Sequence, residues 1–371
     1  MYSLKLIPLL FFVLIIANFG CNDNKKNSTP PEKAILATLQ VDTWTWIPKE
    51  NMFSRSGRTT GYMASINPKA TKLVIYFQGG GACFNPLACK VNADAFGAIK
   101  AKNTMDTLHN ALMFNRVNPK NQFADWNYIF VPYSTGDVHS GNNNAGIVTD
   151  TLKNQQMIGA ENFKIILKDL QAYFKEKGMP DEIMVAGSSA GGFGVYLNFI
   201  QVAETFGTNI TLTGLVDSGP VFSDTTLFTA CLNEQWTTLW KFKYPKDFDD
   251  VVKGTYPYDF QKVYEYLALK YPNANFGLTS RYGDHIIRGF YGFGKDGCTG
   301  ERNTFSKPIF KKGLLDLQKT LVNFPNWKVF FTAGTKHTFL RSSTLGDTID
   351  ETNLNDWIAQ VRVGKAVDLM E

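Results

Sequence analysis

The stretch IMVAGSSAGGFGVYLNF, residues 183–199, decides how the chain is expected to fold. Residues 183–186 have the apolar character of a buried strand, and 192–199 continue as an apolar helix. Between them lies GSSAG, in which Ser189 has a glycine two positions before it and two positions after it. A serine on a sharp strand-to-helix turn needs these glycines, because strand and helix approach too closely for larger residues. The pattern predicts Ser189 as a nucleophile and the backbone N–H of Ala190 as an oxyanion donor. The alternative is a helix start that serves packing alone.

Other short apolar runs extend this strand and helix pattern along the chain. Buried strands are predicted at 73–77, 128–131, 183–186, 212–216, 276–278 and 329–332. Helices are predicted at 162–175 and 310–322, where apolar residues recur every three or four positions. The stretch 44–66 is typical of hairpin-like edge strands. Strands that alternate with helices predict an α/β fold, with a mostly parallel sheet covered by helices on both faces.

Composition and charge exclude several classes of protein. With 371 residues, of which 44% are hydrophobic and 14% aromatic, the chain is too apolar for a disordered protein. The formal net charge of +5 is mild and no cluster of Lys and Arg stands out, so no nucleic-acid partner is expected. We expect no metal, because CxxC and HExxH are missing, and no nucleotide cofactor, because GxGxxG and a phosphate loop are missing.

The N-terminus has the features of an export signal. The apolar run 6–17 is too short to span a bilayer but has the length of a signal-peptide core. Cys21 follows a glycine and precedes polar residues, which resembles a bacterial lipoprotein signal whose cysteine is lipidated. We predict a signal peptide at 1–20, a membrane anchor at Cys21 in the cell envelope, a flexible tether at 21–40 and one domain at 41–371. Plain secretion and an uncleaved anchor are the alternatives.

Four further cysteines are consistent with export. An even number in an exported protein suggests two disulfides, and proximity along the chain favours Cys83–Cys89 with Cys231–Cys298. Other pairings are open, and four buried thiols are the alternative.

The stretch 220–271 interrupts the strand and helix rhythm. Its aromatic residues are about twice as frequent as in the whole chain. We predict a cap at about 220–275, inserted over the C-terminal ends of the strands. The alternative is a set of ordinary surface helices whose core faces hold residues such as Val263, Tyr264, Leu267 and Leu269.

A glycine-rich loop, QGGGA at 78–82, directly follows the strand predicted at 73–77. Three successive glycines leave backbone N–H groups unobstructed, so the loop can direct its amides at a developing negative charge. In hydrolases with a serine elbow, the second oxyanion donor comes from such an early loop.

A serine nucleophile also needs a base and an acid to orient that base. Among the four histidines, His337 is favoured because it follows the last predicted strand of the sheet. His139, which also follows a strand, is the next candidate. Asp284 is favoured as the acid, with Asp217 as runner-up, because the order Ser189…Asp284…His337 is the one expected of α/β-hydrolases. The loop that carries His139 also carries Asp137, and both are possible pocket residues, as is Asp217.

Together these motifs resemble the pectin acetylesterase and Notum family. The resemblance covers most of residues 45–345 and is carried by YFQGGGAC (76–83), GSSAGG (187–192), VDSG (216–219) and KHT (336–338). It implies a secreted α/β-hydrolase carboxylesterase with a catalytic triad and an oxyanion hole. The implied triad is Ser189, Asp284 and His337, and the implied oxyanion donors are Gly80, Gly81 and Ala190.

We therefore expect an exported serine carboxylesterase that removes acetyl or other acyl groups from a polysaccharide and needs no cofactor. One branch of the family acts on acetylated polysaccharide and another on a lipid-modified protein. The chain has Ala82 where the plant and animal branches carry Trp, and it has far fewer cysteines, so the substrate stays open. A lipase-like or acyl-protein deacylase, and a catalytically silent glycan-binding lipoprotein, are the alternatives.

Overall fold

A computed structural model describes residues 34–252 and 258–371, and residues 34–371 form one compact unit. The described strands are β1 (Thr45–Phe53), β2 (Thr59–Ser65), β3 (Lys72–Phe77), β4 (Asn127–Val131), β5 (Asn143–Gly146), β6 (Gln155–Met157), β7 (Glu182–Ser188), β8 (Thr211–Asp217), β9 (Asn275–Arg281), β10 (Trp327–Thr332), β11 (Thr348–Ile349), β12 (Thr352–Asn353) and β13 (Leu369–Met370). The described helices are α1 (Pro86–Val91), α2 (Ala98–Leu108), α3 (Gly159–Lys177), α4 (Ala190–Phe206), α5 (Ala230–Trp240), α6 (Lys246–Val252), α7 (Lys262–Lys270), α8 (His285–Tyr291), α9 (Lys307–Leu321) and α10 (Leu354–Arg362).

The described residues build one nine-stranded sheet in the order β1-β2-β4-β3-β7-β8-β9-β10-β13. The strands from β4 to β13 in this order pair in parallel, while β1 and β2 form an antiparallel hairpin at the edge. All six predicted strands lie within observed strands, and the two predicted helices overlap α3 and α9. The edge hairpin also lies where the sequence predicted it.

Residues of the central strands alternate between two apolar cores, one on each face of the sheet. In β3, Ile75 and Phe77 pack on the face covered by α3 and α4, whereas Val74 and Tyr76 pack on the face covered by α2 and α10. This alternation follows from the two-residue period of a strand, and burial on both faces explains why these strands are apolar throughout. The predicted α/β fold with helices on both faces is confirmed.

Four neighbouring parallel strands bring the predicted site residues to one edge of the sheet. Ser188 of β7 pairs with Asp217 of β8, and Asp217 pairs in turn with Thr279 of β9. Because parallel strands end at the same edge, the loops after β7, β8, β9 and β10 meet there.

The described domain begins before the expected boundary at 41. Residues Ile35–Thr38 form a short 3-10 helix, and Leu36 is only 1% exposed. The backbone N–H of Ala34 donates to Glu176 Oε1 at 3.0 Å. Residues 34–40, assigned to the tether from their position, therefore pack on the domain because Leu36 finds an apolar site. The predicted signal peptide at 1–20, the lipidation of Cys21 and the tether as far as 33 lie outside the described residues.

The region predicted as a cap divides into two parts with different roles. Helix α7 is part of the apolar core. Its Tyr264 is fully buried, and the indole N–H of Trp327 donates to the Tyr264 carbonyl at 3.0 Å. A parallel connection from β8 to β9 requires such a crossover helix. Val263, Tyr264 and Leu267 are buried while Leu269 is exposed, so the alternative of a core-facing helix describes α7. Helix α5 instead reaches the site, as described below.

No helix in the described part of the chain is both long enough and apolar enough to cross a bilayer.

Candidate active site

Ser189 lies on the turn between β7 and α4 with φ of 58°, a left-handed conformation that is costly for a residue with a side chain. Its backbone N–H donates to the carbonyl of Asp217 at 2.7 Å, which fixes the turn to the end of β8. A Cβ atom on Gly187 would collide with the carbonyl oxygen of Gly191, and a Cβ on Gly191 would collide with that of Phe77. The glycines of the motif are therefore needed for close approach.

Ser189 borders a small apolar cavity of about 20 Å³, which we call the front chamber. The remaining residues around it come from the glycine-rich loop, the loop between β4 and β5, the start of α4 and helices α5 and α8. They are Gly81, Ala82, Val138, Ala190, Phe193, Trp236, Ile287, Phe290 and Tyr291. Two of the three predicted oxyanion donors, Gly81 and Ala190, thus border the same space as the predicted nucleophile.

The glycine-rich loop is held from several sides. Gly81 has φ of 78°, which only glycine adopts readily. The side-chain amide of Asn92 donates to the Gly80 carbonyl at 3.0 Å, and the indole N–H of Trp240 donates to the Cys83 carbonyl at 2.9 Å. Among the described residues, no acceptor is paired with the backbone N–H of Gly80, Gly81 or Ala190. These amides remain available to a ligand oxygen.

Both disulfides favoured by chain proximity are present. Cys83–Cys89 closes the segment that follows the glycine-rich loop, and Cys231–Cys298 links α5 to the segment after α8. The first bridge therefore restrains the segment next to the glycine-rich loop, and the second ties the helix that carries Trp236 to the segment after α8.

His139 is hydrogen-bonded to the first residue of the glycine-rich loop, Gln78. Its Nε2 atom lies 2.7 Å from the Gln78 carbonyl, so this nitrogen carries the hydrogen and donates it. Burial lowers the pKa of His139 to about 4, which keeps the ring neutral. The backbone N–H of Tyr133 donates to Gln78 Oε1 at 3.0 Å and holds the same residue. With Nε2 committed to a carbonyl, His139 is a poor candidate for the base.

Asp137 is also turned away from the chamber. Its carboxylate accepts the hydroxyl of Thr135 at 2.6 Å and the backbone N–H of Gly159 at 2.7 Å. Burial raises the pKa of Asp137 to about 6. Of the loop predicted to border the pocket, Val138 lines the front chamber, and Asp137 and His139 do not.

His337 and Asp284, the base and the acid predicted from the sequence, are hydrogen-bonded to each other. His337 Nδ1 lies 2.8 Å and 3.0 Å from the two carboxylate oxygens of Asp284, which is fully buried. Because a carboxylate accepts, Nδ1 carries the hydrogen, and Nε2 is left free to accept a proton. Asp284 also caps α8 by accepting the backbone N–H groups of Ile286 and Ile287. This second set of bonds fixes the carboxylate that orients the imidazole.

Asp217 holds the backbone of the segment 333–340, which we call the His337 loop. Its carboxylate accepts the backbone N–H groups of Phe339 and Leu340 at 3.0 Å and the hydroxyl of Ser188 at 2.6 Å. Ser218 and Thr279 add two further hydroxyl donors. Asp217, the runner-up for the acid, is not paired with His337, because its oxygens are occupied by these donors.

Arg281 binds backbone carbonyl groups of the same loop, a role that the sequence did not predict. Its guanidinium donates to the carbonyls of Lys336 at 3.4 Å and Thr338 at 3.1 Å, on either side of His337. An ion pair with Asp347 at 2.7 Å orients the guanidinium. Nothing in the local sequence distinguishes Arg281 from other arginines, since its partners lie more than fifty positions along the chain.

Ser189 and the His337 loop are joined through Asp217. The Asp217 carbonyl accepts the backbone N–H of Ser189, and its carboxylate accepts that of Phe339. Among the described residues, no hydrogen bond joins Ser189 Oγ to His337, whose side chain is 18% exposed. The shared anchor brings the serine turn and the His337 loop to the end of the same strand.

The described residues contain no group of three or more His, Cys, Asp or Glu that could hold a metal ion.

Comparisons with known proteins identify a family. The family model described as pectinacetylesterase matches residues 56–246, just over half of the chain. The palmitoleoyl-protein carboxylesterase notum2 of Xenopus laevis is 29% identical over 171 residues, and notum1a of Danio rerio, with the same name, is 30% identical over 171. Each alignment covers 44% of this chain and 33% of the relative, so the match spans a third of the length of these curated relatives.

A solved structure shares the fold. The crystal structure of the Wnt deacylase Notum from Drosophila aligns with a TM-score of 0.62 at 18% identity, covering 90% of this chain and 96% of that chain. This likeness confirms the predicted α/β-hydrolase fold.

Proposed function

The chain belongs to the pectinacetylesterase family, and on that premise we propose that it is an exported serine carboxylesterase that removes acetyl groups from a glycan. The observation that carries the proposal is the position of Ser189. It stands on a glycine-flanked turn at the wall of an apolar chamber, next to unpaired backbone N–H groups and joined through Asp217 to the loop of a His337–Asp284 pair.

Each group has a defined role in the proposed reaction. Ser189 Oγ attacks the ester carbonyl while His337 Nε2 takes its proton, and Asp284 stabilises the imidazolium through Nδ1. The N–H groups of Gly81 and Ala190, with Gly80, donate to the oxyanion, and each such donor is worth about 3–4 kcal/mol of barrier. His337 then gives the proton to the leaving alcohol, and water hydrolyses the acyl-enzyme by the same steps in reverse. Activity falls at acid pH, because a protonated ring cannot act as the base.

The size of the front chamber favours a short acyl group. A cavity of about 20 Å³ has room for one water-sized group, which is the size of the acetyl methyl. The curated relatives are named palmitoleoyl-protein carboxylesterases, but a long chain does not fit this volume. The chamber therefore supports acetyl over a long acyl chain.

Export rests on a separate observation. Two disulfides are typical of proteins that fold in an oxidising compartment. Lipidation at Cys21 is part of the same proposal and is tested by fractionating cells that express the wild type or Cys21→Ala. Loss of the protein from the membrane fraction in the variant is expected, and an unchanged distribution would contradict the anchor.

The test compares wild type and Ser189→Ala on p-nitrophenyl acetate and octanoate, and on acetate release from acetylated pectin and acetylated xylan. We expect the wild type to prefer acetate esters and Ser189→Ala to be inactive on all substrates. Equal turnover by both proteins would overturn the proposal. Glycan binding by a wild type that a fluorophosphonate probe does not label would favour the catalytically silent alternative.

A further inference from the structure

An open cleft lies beside α5, and we call it the α5 cleft. Trp236 of this helix lines the front chamber, whereas its Gln235, Thr238 and Leu239 line the cleft. The volume of the cleft is about 510 Å³, against about 20 Å³ for the front chamber. Sites that bind small molecules commonly have volumes of about 300–1,000 Å³. The α5 cleft therefore has room for a ligand, such as a sugar unit, that the front chamber cannot hold.

The walls of the α5 cleft are tied to one another. The disulfide between Cys231 and Cys298 joins α5 to the wall that Cys298 and the two residues after it provide. A second wall comes from β5, where the side-chain amide of Asn143 donates to the Leu239 carbonyl of α5 at 2.7 Å. A site whose walls are fixed before binding loses little conformational freedom when the ligand arrives. The cleft is thus a preformed feature of the domain.

Polar side chains without a partner line the α5 cleft. Among the described residues, the side chains of Gln235, Thr238, Lys241 and Thr299 make no hydrogen bond and no ion pair. Amides and hydroxyls both donate and accept, and an ammonium group only donates. The described residues that line the cleft include no carboxylate, so a cationic ligand is not favoured. These groups suit a neutral or acidic ligand that is rich in hydroxyls.

The α5 cleft also has an apolar part. Phe84, Leu239 and Ile147 line it, and Ile147 is 63% exposed. A sugar ring has faces of C–H groups and a rim of hydroxyls, so it needs apolar and polar contacts side by side. The cleft provides both, unlike the front chamber, whose lining is almost wholly apolar.

Phe84 places the α5 cleft next to the serine. Its ring lies 5.8 Å from that of Trp236 and 6.5 Å from that of Phe290, and both of these rings line the front chamber. Phe84 also follows Gly81, which borders the front chamber, by three residues. Three residues span at most about 11 Å. One polysaccharide chain is long enough to reach both sites.

We propose that the α5 cleft is a glycan subsite, which binds a second sugar unit of the polysaccharide whose acetylated unit lies at Ser189. Gln235, Thr238, Lys241 and Thr299 bind the hydroxyls of that unit, and the apolar part of the cleft packs against its ring. Binding energy gained there is available to the reaction at the ester. This inference rests on the proposed function, because the substrate chain is what links the two sites.

The experiment compares acetate release from acetylated pectin and acetylated xylan with hydrolysis of p-nitrophenyl acetate, which contains no sugar. The proteins are the wild type, the double variant Gln235→Ala with Lys241→Ala, Thr238→Trp and Lys243→Ala. The double variant removes hydrogen-bonding groups, and Thr238→Trp fills the cleft from an exposed position on α5. Lys243 is exposed and does not line the cleft, so Lys243→Ala is the matched control for the loss of one positive charge.

The quantity measured is the kcat/KM on the polysaccharide that the wild type deacetylates faster, divided by the kcat/KM on p-nitrophenyl acetate. We expect the double variant to lower this ratio by about tenfold or more, since each hydrogen bond lost is worth about fivefold. Thr238→Trp should lower it at least as much, because the sugar unit is then excluded. Lys243→Ala should keep the wild-type ratio.

The outcomes separate this inference from the proposed function. If both cleft variants keep the wild-type ratio, or if Lys243→Ala lowers it as much as they do, the subsite is wrong while the esterase stands. A wild type that hydrolyses p-nitrophenyl acetate but neither polysaccharide overturns the subsite together with the glycan substrate. A wild type that hydrolyses no ester overturns the proposed function itself. The two cleft variants are independent, so if one does not fold the other decides.

Discussion

The part of the site that carries the proposed nucleophile and the part that carries the proposed base and acid are built in different ways, and we call them the nucleophile half and the acid–base half. The nucleophile half consists of the turn 187–191 and the loop 78–83, in which glycines allow two contiguous segments to approach closely. The acid–base half consists of Asp284 and the His337 loop, which is held by side chains from β8 and β9. The first half depends on the close approach of backbone segments at glycines, and the second depends on hydrogen bonds that side chains of β8 and β9 make to the backbone of a loop.

This difference predicts how each half responds to change. A side chain in place of Gly187 or Gly191 would collide with a backbone carbonyl, and a small shift cannot relieve a collision with backbone. The His337 loop depends on a few donors and acceptors, each of which can be removed without a collision. Substitutions in the acid–base half should therefore lower activity while the fold survives.

The largest expected effect is that of Asp284→Asn. An asparagine still caps α8, because its side-chain oxygen accepts the same N–H groups. It cannot stabilise the imidazolium, so kcat should fall on the order of 10⁴-fold with little change in the midpoint of thermal unfolding. A variant within tenfold of wild-type kcat would show that Asp284 is a cap and not the acid.

Loss of the longer disulfide should mainly lower the free energy of unfolding, and loss of the shorter one should mainly lower kcat. Replacing both Cys231 and Cys298 with alanine opens a bridge of sequence separation 67 and should lower the free energy of unfolding by about 4 kcal/mol. The same change at Cys83 and Cys89, six residues apart, should lower it by about 2 kcal/mol. The shorter bridge follows the glycine-rich loop, which carries the proposed oxyanion donors, so its loss should lower kcat more. Denaturant unfolding and kinetics on the wild type and the two double variants test this, and the reverse order for kcat would contradict it.

His139 should make the nucleophile half sensitive to acid. Its pKa is about 4 in the folded protein and 6.5 in an unfolded chain, so its stabilising effect is complete above pH 6.5 and is lost as pH falls towards 4. The full difference corresponds to about 3 kcal/mol. His139→Gln keeps an N–H donor for Gln78 but does not titrate, so its unfolding free energy should depend less on pH in this window.

Asp137 changes the free energy of unfolding in the opposite direction over part of this pH range. Its pKa is raised to about 6, so its ionisation costs stability as pH rises towards 6. Denaturant unfolding of wild type and His139→Gln between pH 4 and 7 separates the two groups. Identical pH profiles for the two proteins would contradict the role assigned to His139.

A smaller loss of kcat than that of Asp284→Asn is expected for Asp217→Asn. The amide oxygen can replace only one of the two carboxylate oxygens, and the NH2 group in the other place meets N–H and O–H donors, so the His337 loop should shift. A misplacement of about 1 Å can cost on the order of 10²-fold in rate, and we expect that loss in kcat with KM little changed. Thr279→Val, which removes only one weak donor at 3.2 Å, is the matched control. Equal kcat in wild type and Asp217→Asn would show that Asp217 does not position the His337 loop.

The sequence predicted what local rules determine. The strands 73–77 and 183–186, the helix 162–175 and the GSSAG turn each carry their own pattern, and the structure has these elements in the predicted places. The placement of His337 beside Asp284 followed from strand order, since loops after neighbouring parallel strands share an edge.

What the sequence could not predict depends on contacts between distant residues. Arg281 and Asp217 hold the His337 loop through backbone groups, which leave no side-chain signature in the sequence. The burial of Leu36 depends on a site made by other segments, so the tether was extended too far. The sequence left a cap and core-facing helices as alternatives for 220–271, and it could not show that Tyr264 packs in the core while Trp236 lines the front chamber.

The central claim is that His337 activates Ser189, and the rate of labelling by a fluorophosphonate probe tests it most directly. Mass spectrometry of the wild type should find the adduct on Ser189, and His337→Ala should be labelled more slowly by a factor on the order of 10³ or more. An adduct on another residue, or labelling of His337→Ala at the wild-type rate, would contradict the account.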